Sequence, residues 1–512
     1  MRRVFAFLAF LVLAATGLAT EPLERAFWVW HRSQPLSLEE QEQLSTQNVR
    51  TLYWNVGELE NRDGTWRWKG ATLNLVGVGR RAADRSEVAP GFHLVPVVRL
   101  TSEGKKPFAR AAMPELLASL DAVAVAGELQ IDFDCPDRLL GDYAATLAEV
   151  RRKVPHLSIT ALTHWPTLRG FPALAHGVEE IAPMFYDMQA DPTGVSSAAP
   201  PPPLLDPESV AVALHAWSAC PVPWRAGLPS FARLTVFDRT GLSRGQIPNW
   251  AWDDFCFHKN LRALGPTRLG VTLFRADRDT RVAHTAVAQE DIVASRFVDR
   301  AALAKVLAVA HEAGAKGAIF FRLADETDPS GWSVADLGAL SSAEAPRLIL
   351  RAAADDRFEL TNDSDHDLPV RLSGAKGDLD RGYALEIDAP APLFRDALAG
   401  DFWRMASHAN PDAEKPTPVA VPLATRVTFW FSHLPARSRL QTGLLQLDPG
   451  VTLAQIRYRI LNCEGATAWK PILPAEASEP LEGTAPSVPG TKPHLGSDSA
   501  LPSSPKASPQ NL

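Results

Sequence analysis

Glu128-Leu129-Gln130-Ile131-Asp132-Phe133-Asp134-Cys135-Pro136 alternates polar and apolar side chains over its first seven positions. Successive side chains of a strand point to opposite faces. Leu129, Ile131 and Phe133 therefore share a face suited to packing against helices, and Glu128, Gln130, Asp132 and Asp134 share the other. A strand with one greasy face and one row of acids and amides fits the wall of a barrel whose mouth is wet. Seven further runs have strand character: Ala26–Arg32, Val49–Val56, Gly91–Leu100, Leu157–His164, Glu180–Asp187, Trp224–Phe231 and Gly317–Leu323.

Helical patterns lie between several of these runs. Ser37-Leu38-Glu39-Glu40 is a capping box. Leu139, Leu140, Tyr143, Leu147, Val150 and Val154 form an apolar stripe at helical spacing. Ala301 to His311 reads as another helix, closed by Gly314. Eight strands alternating with helices predict an α/β chain built on a (β/α)8 TIM-type barrel over residues 20–344. The connection over about 235–297 is too long for a simple crossover and carries its own strand-like run, Leu269–Phe274, so it reads as a small insertion. From 345 to 470 short strands separated by turns predict an all-β sandwich-like domain: Arg347–Arg351, Arg357–Leu360, Val370–Leu372, Tyr383–Ile387, Arg426–Phe431 and Gln455–Ile460. Residues 471–512 contain nine Pro and no Phe, Trp or Tyr. A tail of that composition is expected to be disordered.

The 512 residues are 46% hydrophobic and 22% charged, which excludes a multi-span membrane protein and a wholly disordered chain. A net charge of -7 gives no positive field to hold nucleic acid. Met1-Arg2-Arg3, the apolar run Val4–Leu18 and the small residues Gly17-Leu18-Ala19 form a signal peptide over residues 1–19. The expected product is secreted or periplasmic and monomeric, with no stable membrane span once the signal is removed. Cys135, Cys220, Cys256 and Cys463 contain no C-x-x-C pair. Export permits disulfides among them, and buried thiols fit equally well.

Barrel enzymes work at the C-terminal ends of their strands, so those ends supply the candidate site. They are Trp30 and His31, Trp54 and Asn55, Arg99, Asp132 and Asp134, His164 and Trp165, Tyr186 and Asp187, and Arg322. Fourteen Trp against five Tyr gives broad apolar faces either to the core or to sugar rings. Asp132 and Asp134 lie about 6.5–7 Å apart at Cα. Paired carboxylates with split pKa values suit acid/base work on a glycosidic bond, with Asp134 as general acid and Asp132 as its tuning partner; the alternative is a pair that caps loops. No G-x-S-x-G, H-E-x-x-H, Walker or G-x-G-x-x-G motif occurs, and neither a metal nor a cofactor is expected.

Ile131-Asp132-Phe133-Asp134, Met184-Phe185-Tyr186-Asp187, Gly227-Leu228-Pro229 and Gly317-Ala318-Ile319-Phe320 occur in the order of the motifs of family-18 glycoside hydrolases, the chitinase-like barrels. The chain resembles that family over roughly residues 26–340. Phe27-Trp28-Val29-Trp30-His31-Arg32 and Gln130–Asp134 also resemble the bacterial domain of unknown function 3142 family. The first resemblance implies a carbohydrate polymer or oligosaccharide as partner, Asp132 and Asp134 as the inner acids of the strand-four motif, and Tyr186 and Asp187 as the pair that grips a sugar's N-acetyl group. Where that family has its donor Glu, this chain has Pro136, and the motif's first Asp falls on Leu129. Three readings follow. Asp134 has taken over as acid, Glu58 or Glu326 reaches in from another strand, or the protein is a carbohydrate-binding or envelope-scaffold protein that does not cleave.

Overall fold

The computed structural model describes residues 23–475 apart from 31, 33, 70–88, 104–106, 125, 189–192, 265–268, 325–330, 339, 341–344, 371, 373–381, 413–415 and 463–464. The predicted signal peptide, most of the predicted tail, His31, Glu326 and Cys463 lie outside the described residues.

Eight parallel strands make the barrel: β1 (Glu24–Val29), β2 (Thr51–Arg62), β3 (His93–Ser102), β4 (Glu128–Asp132), β5 (His156–Ala161), β6 (Glu180–Pro183), β7 (Arg225–Pro229) and β8 (Gly317–Phe321). Their order is β6-β5-β4-β3-β2-β1-β8-β7. Bridges Ile181–Trp224 and Met184–Gly227 join β7 back to β6 and close the ring. Each of the eight predicted strand runs overlaps one barrel strand, and four of them contain it whole.

Around the ring lie α1 (Leu38–Thr46), α2 (Met113–Asp121), α3 (Leu140–Arg151), α4 (Phe171–His176), α5 (Pro207–Trp217), α6 (Arg300–Glu312) and α7 (Val334–Gly338). The capping box forms as the sequence predicts: Glu40 N donates to Ser37 Oγ at 3.1 Å, and Ser37 N donates to Glu40 Oε2 at 2.7 Å. This satisfies two amides at the start of α1. The outward residues of the strands, among them Phe27, Leu52, Leu129, Ile131, Ile159 and Phe320, bury against the helices in the largest core.

The barrel interior is filled in layers. At the N-terminal end Tyr53 Oη donates to Glu180 at 2.7 Å, and Arg225 bonds both Glu180 and Glu24. In the middle Trp28 Nε1 donates to Gln130 Oε1 at 2.7 Å, with Ala26, Val95, Val97, Ala182 and Ile319 packed about it. The top layer carries Trp30, Asp132, Tyr186 and Phe321 beneath the strand ends. Above these layers the strand ends open into a concave mouth, and a smaller cavity of about 350 Å³ lies at the opposite end, beside Tyr53, Glu180 and Arg225.

The insertion between β7 and α6 is built on an antiparallel sheet. Its strands Arg233–Phe237, Val271–Ala276 and Ile292–Arg296 pair in the order first, third, second. Both faces of this sheet are covered, which is why its strands read as nearly continuous apolar runs.

The C-terminal region contains β9 (Leu348–Ala352), β10 (Phe358–Asn362), β11 (Tyr383–Asp388), β12 (Arg404–Ala409), β13 (Arg426–Phe431), β14 (Arg439–Gln441) and β15 (Arg457–Asn462). β9-β10-β14 form one sheet, and β12-β13-β11-β15 form the centre of another. Both contribute to a single core that includes Leu350, Leu360, Leu385, Phe429 and Ile460. Two of the sequence expectations shift. Leu372, expected in a strand, instead packs into the insertion's core together with Trp430. The folded region also runs past residue 470: Pro471 pairs with Arg457, Ile472 is buried, and Leu473 N donates to Leu350 O at 3.1 Å. The apolar Ile472-Leu473 pair gives the proline-rich segment enough surface to order its first residues. Cys135 and Cys220 are free thiols, so the disulfide alternative fails for these two. Burial pushes the Cys135 thiol up to about 12.

Candidate functional site

The strand alternation sends Asp132 into the barrel and leaves Asp134 in the loop just beyond β4. A cavity of about 580 Å³ opens there, lined by Trp28, Trp30, Arg99, Asp132, Asp134 and Tyr186 and completed by Thr160, His164, Asp187 and Phe321. Its size lies in the usual range of about 300–1,000 Å³ for small-molecule sites. Seven candidates therefore come together: Trp30, Arg99, Asp132, Asp134, His164, Tyr186 and Asp187. Its floor is aromatic. Tyr186 stacks on Phe321 with centroids 5.5 Å apart and planes 18° apart, and Trp30 meets the same Phe321 ring edge-on at 5.8 Å.

The two carboxyl groups differ, but not as the sequence suggests. Asp132 is 9% exposed. Burial raises its pKa to about 6, against a hydrogen bond from Thr160 Oγ1 at 2.8 Å and the charge of Arg99; the nearby Asp134 and Glu58 push it further up. Asp134 has a side chain 59% exposed and lies 3.8 Å from Arg99 Nη2. The desolvated acid is thus Asp132, because the strand end leaves Asp134 in water. Burial likewise holds the Tyr186 phenol well above its ordinary value.

Asp187 takes a left-handed backbone conformation, with φ of 51°. Both its oxygens accept from Arg233, at 2.7 and 2.5 Å. Arg233 comes from the first strand of the insertion, and its guanidinium lies 5.3 Å from the centre of the Phe231 ring. His164 Nε2 is 2.8 Å from Asp137 Oδ1, which tethers the imidazole at the rim.

Four candidates fall elsewhere. Trp54 alternates with the inward Tyr53, so it faces the helices and is buried in the outer core. Trp165 starts a short helical turn and is fully buried against Tyr143, so it offers no face to a sugar. Asn55 is buried and does not line the cavity. Arg322 lies next door, in a cavity of about 440 Å³ between the barrel and the insertion that shares Tyr186, Asp187 and Phe321 with the mouth. Its Nη1 donates to Trp30 O at 3.3 Å. Glu58, an alternative acid, accepts from Thr101 at 2.8 Å and from Lys69 at 3.3 Å. Its partial burial works to raise it, yet these bonds and the Lys69 and Arg99 charges bring it below the usual carboxylate range. A group held ionised in this way is a poor proton donor.

Thr160, Phe321 and Arg233 escaped the sequence reading. Thr160 was within reach, since Ser158-Ile159-Thr160 alternates as Gln130-Ile131-Asp132 does. Nothing in the sequence linked Arg233 to Asp187, 46 positions earlier. Among the described residues no group of His, Cys, Asp and Glu could hold a metal ion. No described helix is long and apolar enough to cross a membrane.

No protein-family model matches the chain, and no curated protein matches it in sequence. Solved structures that resemble it are chitinase-like glycoside hydrolases and relatives at low identity. A chitinase from Chromobacterium violaceum is 12% identical, with a TM-score of 0.41 over 60% of this chain and 96% of its own. A family-18 N-acetylglucosaminidase from Paenibacillus barengoltzii is 12% identical, with a TM-score of 0.39 over 59% and 95%. The chitinase-like agglutinin of Robinia pseudoacacia is 13% identical, with a TM-score of 0.39 over 60% and 97%.

Proposed function

We propose that the chain is an exported, monomeric glycoside-hydrolase-like protein that binds a polysaccharide at the barrel mouth and cleaves it there without a metal or cofactor. The observation that carries this reading is the aromatic-floored cavity that also holds the Asp132–Asp134 pair. Trp30, Tyr186 and Phe321 supply apolar surface for sugar rings. Arg99, His164 and Asp187 supply polar groups at the rim. Asp134 stands nearest the substrate, with Asp132 behind it as the group that keeps a proton below about pH 6. The pair delivers that proton to the glycosidic oxygen as the C–O bond breaks, and water adds to the sugar carbon and returns a proton. The motif resemblance to family-18 hydrolases agrees with such a site.

Incubation of the mature protein with a panel of polysaccharides, with release of reducing ends as the readout, tests the reaction. A glycan array tests binding separately. Asp134→Asn is expected to abolish cleavage and to leave binding within a few-fold, because the amide keeps the shape but cannot pass the Asp132 proton on to the glycosidic oxygen. Undiminished cleavage by that variant overturns the role of Asp134.

Two observations favour a second reading, binding without cleavage. Pro136 occupies the position of the donor Glu in the resembled motif, and Asp134 is exposed, with the Arg99 guanidinium 3.8 Å away. Glycan binding with no reducing ends from any polymer selects this reading.

A further inference from the structure

Away from the mouth, two carboxyl groups face each other where the barrel meets the C-terminal region. Asp336, on α7 of the barrel, is 2% exposed and accepts from Arg300 Nη1 of α6 at 2.9 Å. Asp367, in the segment after β10, accepts from Ala436 N at 2.8 Å and from the hydroxyl of Ser333. Ser333 Oγ also accepts from the backbone N of Asp336 at 3.1 Å, so one hydroxyl bonds the Asp367 carboxyl and the start of the segment that carries Asp336. His366 and His433 are the other titratable groups acting on Asp367. Against two carboxyls the seam sets one guanidinium close to Asp336 and two imidazoles close to Asp367.

We propose that this seam is a pH-sensitive latch, which clamps the C-terminal region to the barrel while the two acids retain a proton and slackens when both are ionised. Asp336 is buried and Asp367 is half-buried; two like charges at such a seam repel, and the Arg300 contact offsets only part of the desolvation of Asp336. Burial first, then the charge of Asp367, lifts Asp336 to about 7; burial lifts Asp367 as well. The sign follows from linkage. A carboxyl whose folded pKa lies above its unfolded value stabilises the fold at low pH, and that contribution is lost as pH rises through the folded value. For Asp336 the loss runs from about pH 4 to about pH 7. The segment involved is tied to the mouth, since Trp332 N donates to Ser230 O at 2.7 Å and Ser230 Oγ donates to Arg322 O at 2.9 Å. The latch itself stands apart from the carbohydrate reading.

Thermal unfolding of the full chain from pH 5 to pH 8 tests it, with wild type compared against Asp336→Asn and, separately, Asp367→Asn. The difference between wild type and each variant cancels titrations elsewhere, such as that of His93, which its hydrogen bond to Glu128 raises. We expect wild type to lose at least about 3 °C relative to Asp336→Asn between pH 5 and pH 8, with the change levelling off above pH 7. Asp367→Asn is expected to flatten the profile in the same direction, and it carries the test if Asp336→Asn fails to fold. Differences that stay constant with pH in the variants that fold overturn the latch.

Discussion

Arg233 of the insertion holds both carboxylate oxygens of Asp187 at the end of the sixth barrel strand, at 2.7 and 2.5 Å. The pair fixes a side chain on the wall shared by the mouth and the neighbouring cavity. It thereby makes the insertion part of the site. Arg233→Ala leaves Asp187 charged and unrestrained in a left-handed backbone conformation. A charge-assisted pair of this kind is worth about 1.5–3 kcal/mol. Glycan affinity is expected to fall about tenfold, with Arg233→Lys recovering part of it, as measured by titration calorimetry with the best ligand from the array. Unchanged affinity in Arg233→Ala separates the insertion from ligand binding.

Asp132 makes a pH prediction of its own. Its folded pKa of about 6 exceeds the ordinary aspartate value of 3.8, so protonated Asp132 stabilises the fold below about pH 4 and that stabilisation fades as pH rises through 6. The full contribution is about 3 kcal/mol. Asp132→Asn keeps an acceptor for the Thr160 hydroxyl and removes the titration. Denaturant unfolding at pH 4 and pH 7 is expected to show wild type losing stability relative to Asp132→Asn over that interval. A gain by wild type contradicts the burial of this carboxyl.

Gly227 sits where the ring closes. A Cβ there meets the Trp28 indole at 2.8 Å and the Pro183 carbonyl at 2.9 Å. Phe185 N also donates to Gly227 O at 2.8 Å, so β7 cannot retreat without breaking the seam with β6. Gly227→Ala is expected to cost about 1–3 kcal/mol, read as a lower midpoint in thermal or denaturant unfolding. A neutral substitution means that the Trp28 ring moves freely in the barrel centre.

The folded boundary near residue 475 is tested by two truncations. A chain stopped after Ala475 is expected to melt within about 2 °C of the full protein. A chain stopped after Trp469 loses buried Ile472 and the hydrogen bonds between Leu473 and β9, and it is expected to be less stable by about 2–5 kcal/mol. Equal melting of both chains removes Ile472 from the core.

The barrel was legible because its signal is local. Gln130-Ile131-Asp132 shows which way each side chain points, and Ser37–Glu40 announces a helix start without tertiary context. The same alternation identifies Trp54 as outward-facing once Tyr53 is set inward, so that assignment failed in application and not for lack of signal. Trp165 is different. It lies beyond its strand, where no period constrains the chain, and its packing on Tyr143 is a tertiary fact. The relative burial of Asp132 and Asp134 depends on where β4 ends, and strand ends are the least legible feature of a pattern. In the C-terminal region, Phe394–Ala397 and β12 were missed because short strands with polar faces resemble loops.

The partnership of Glu24–Trp28 with Gly317–Phe321 has a consequence in time. These segments are roughly three hundred residues apart. At about 5–20 residues per second, roughly 15–60 s of synthesis separate the first barrel strand from the partner that covers its second edge. Until then Phe27 and Trp28 stand on an unpaired edge, the condition under which a strand finds wrong partners. The insertion lengthens that wait, since it is made before β8. Any factor that shields the nascent chain therefore has its longest task at the first strand.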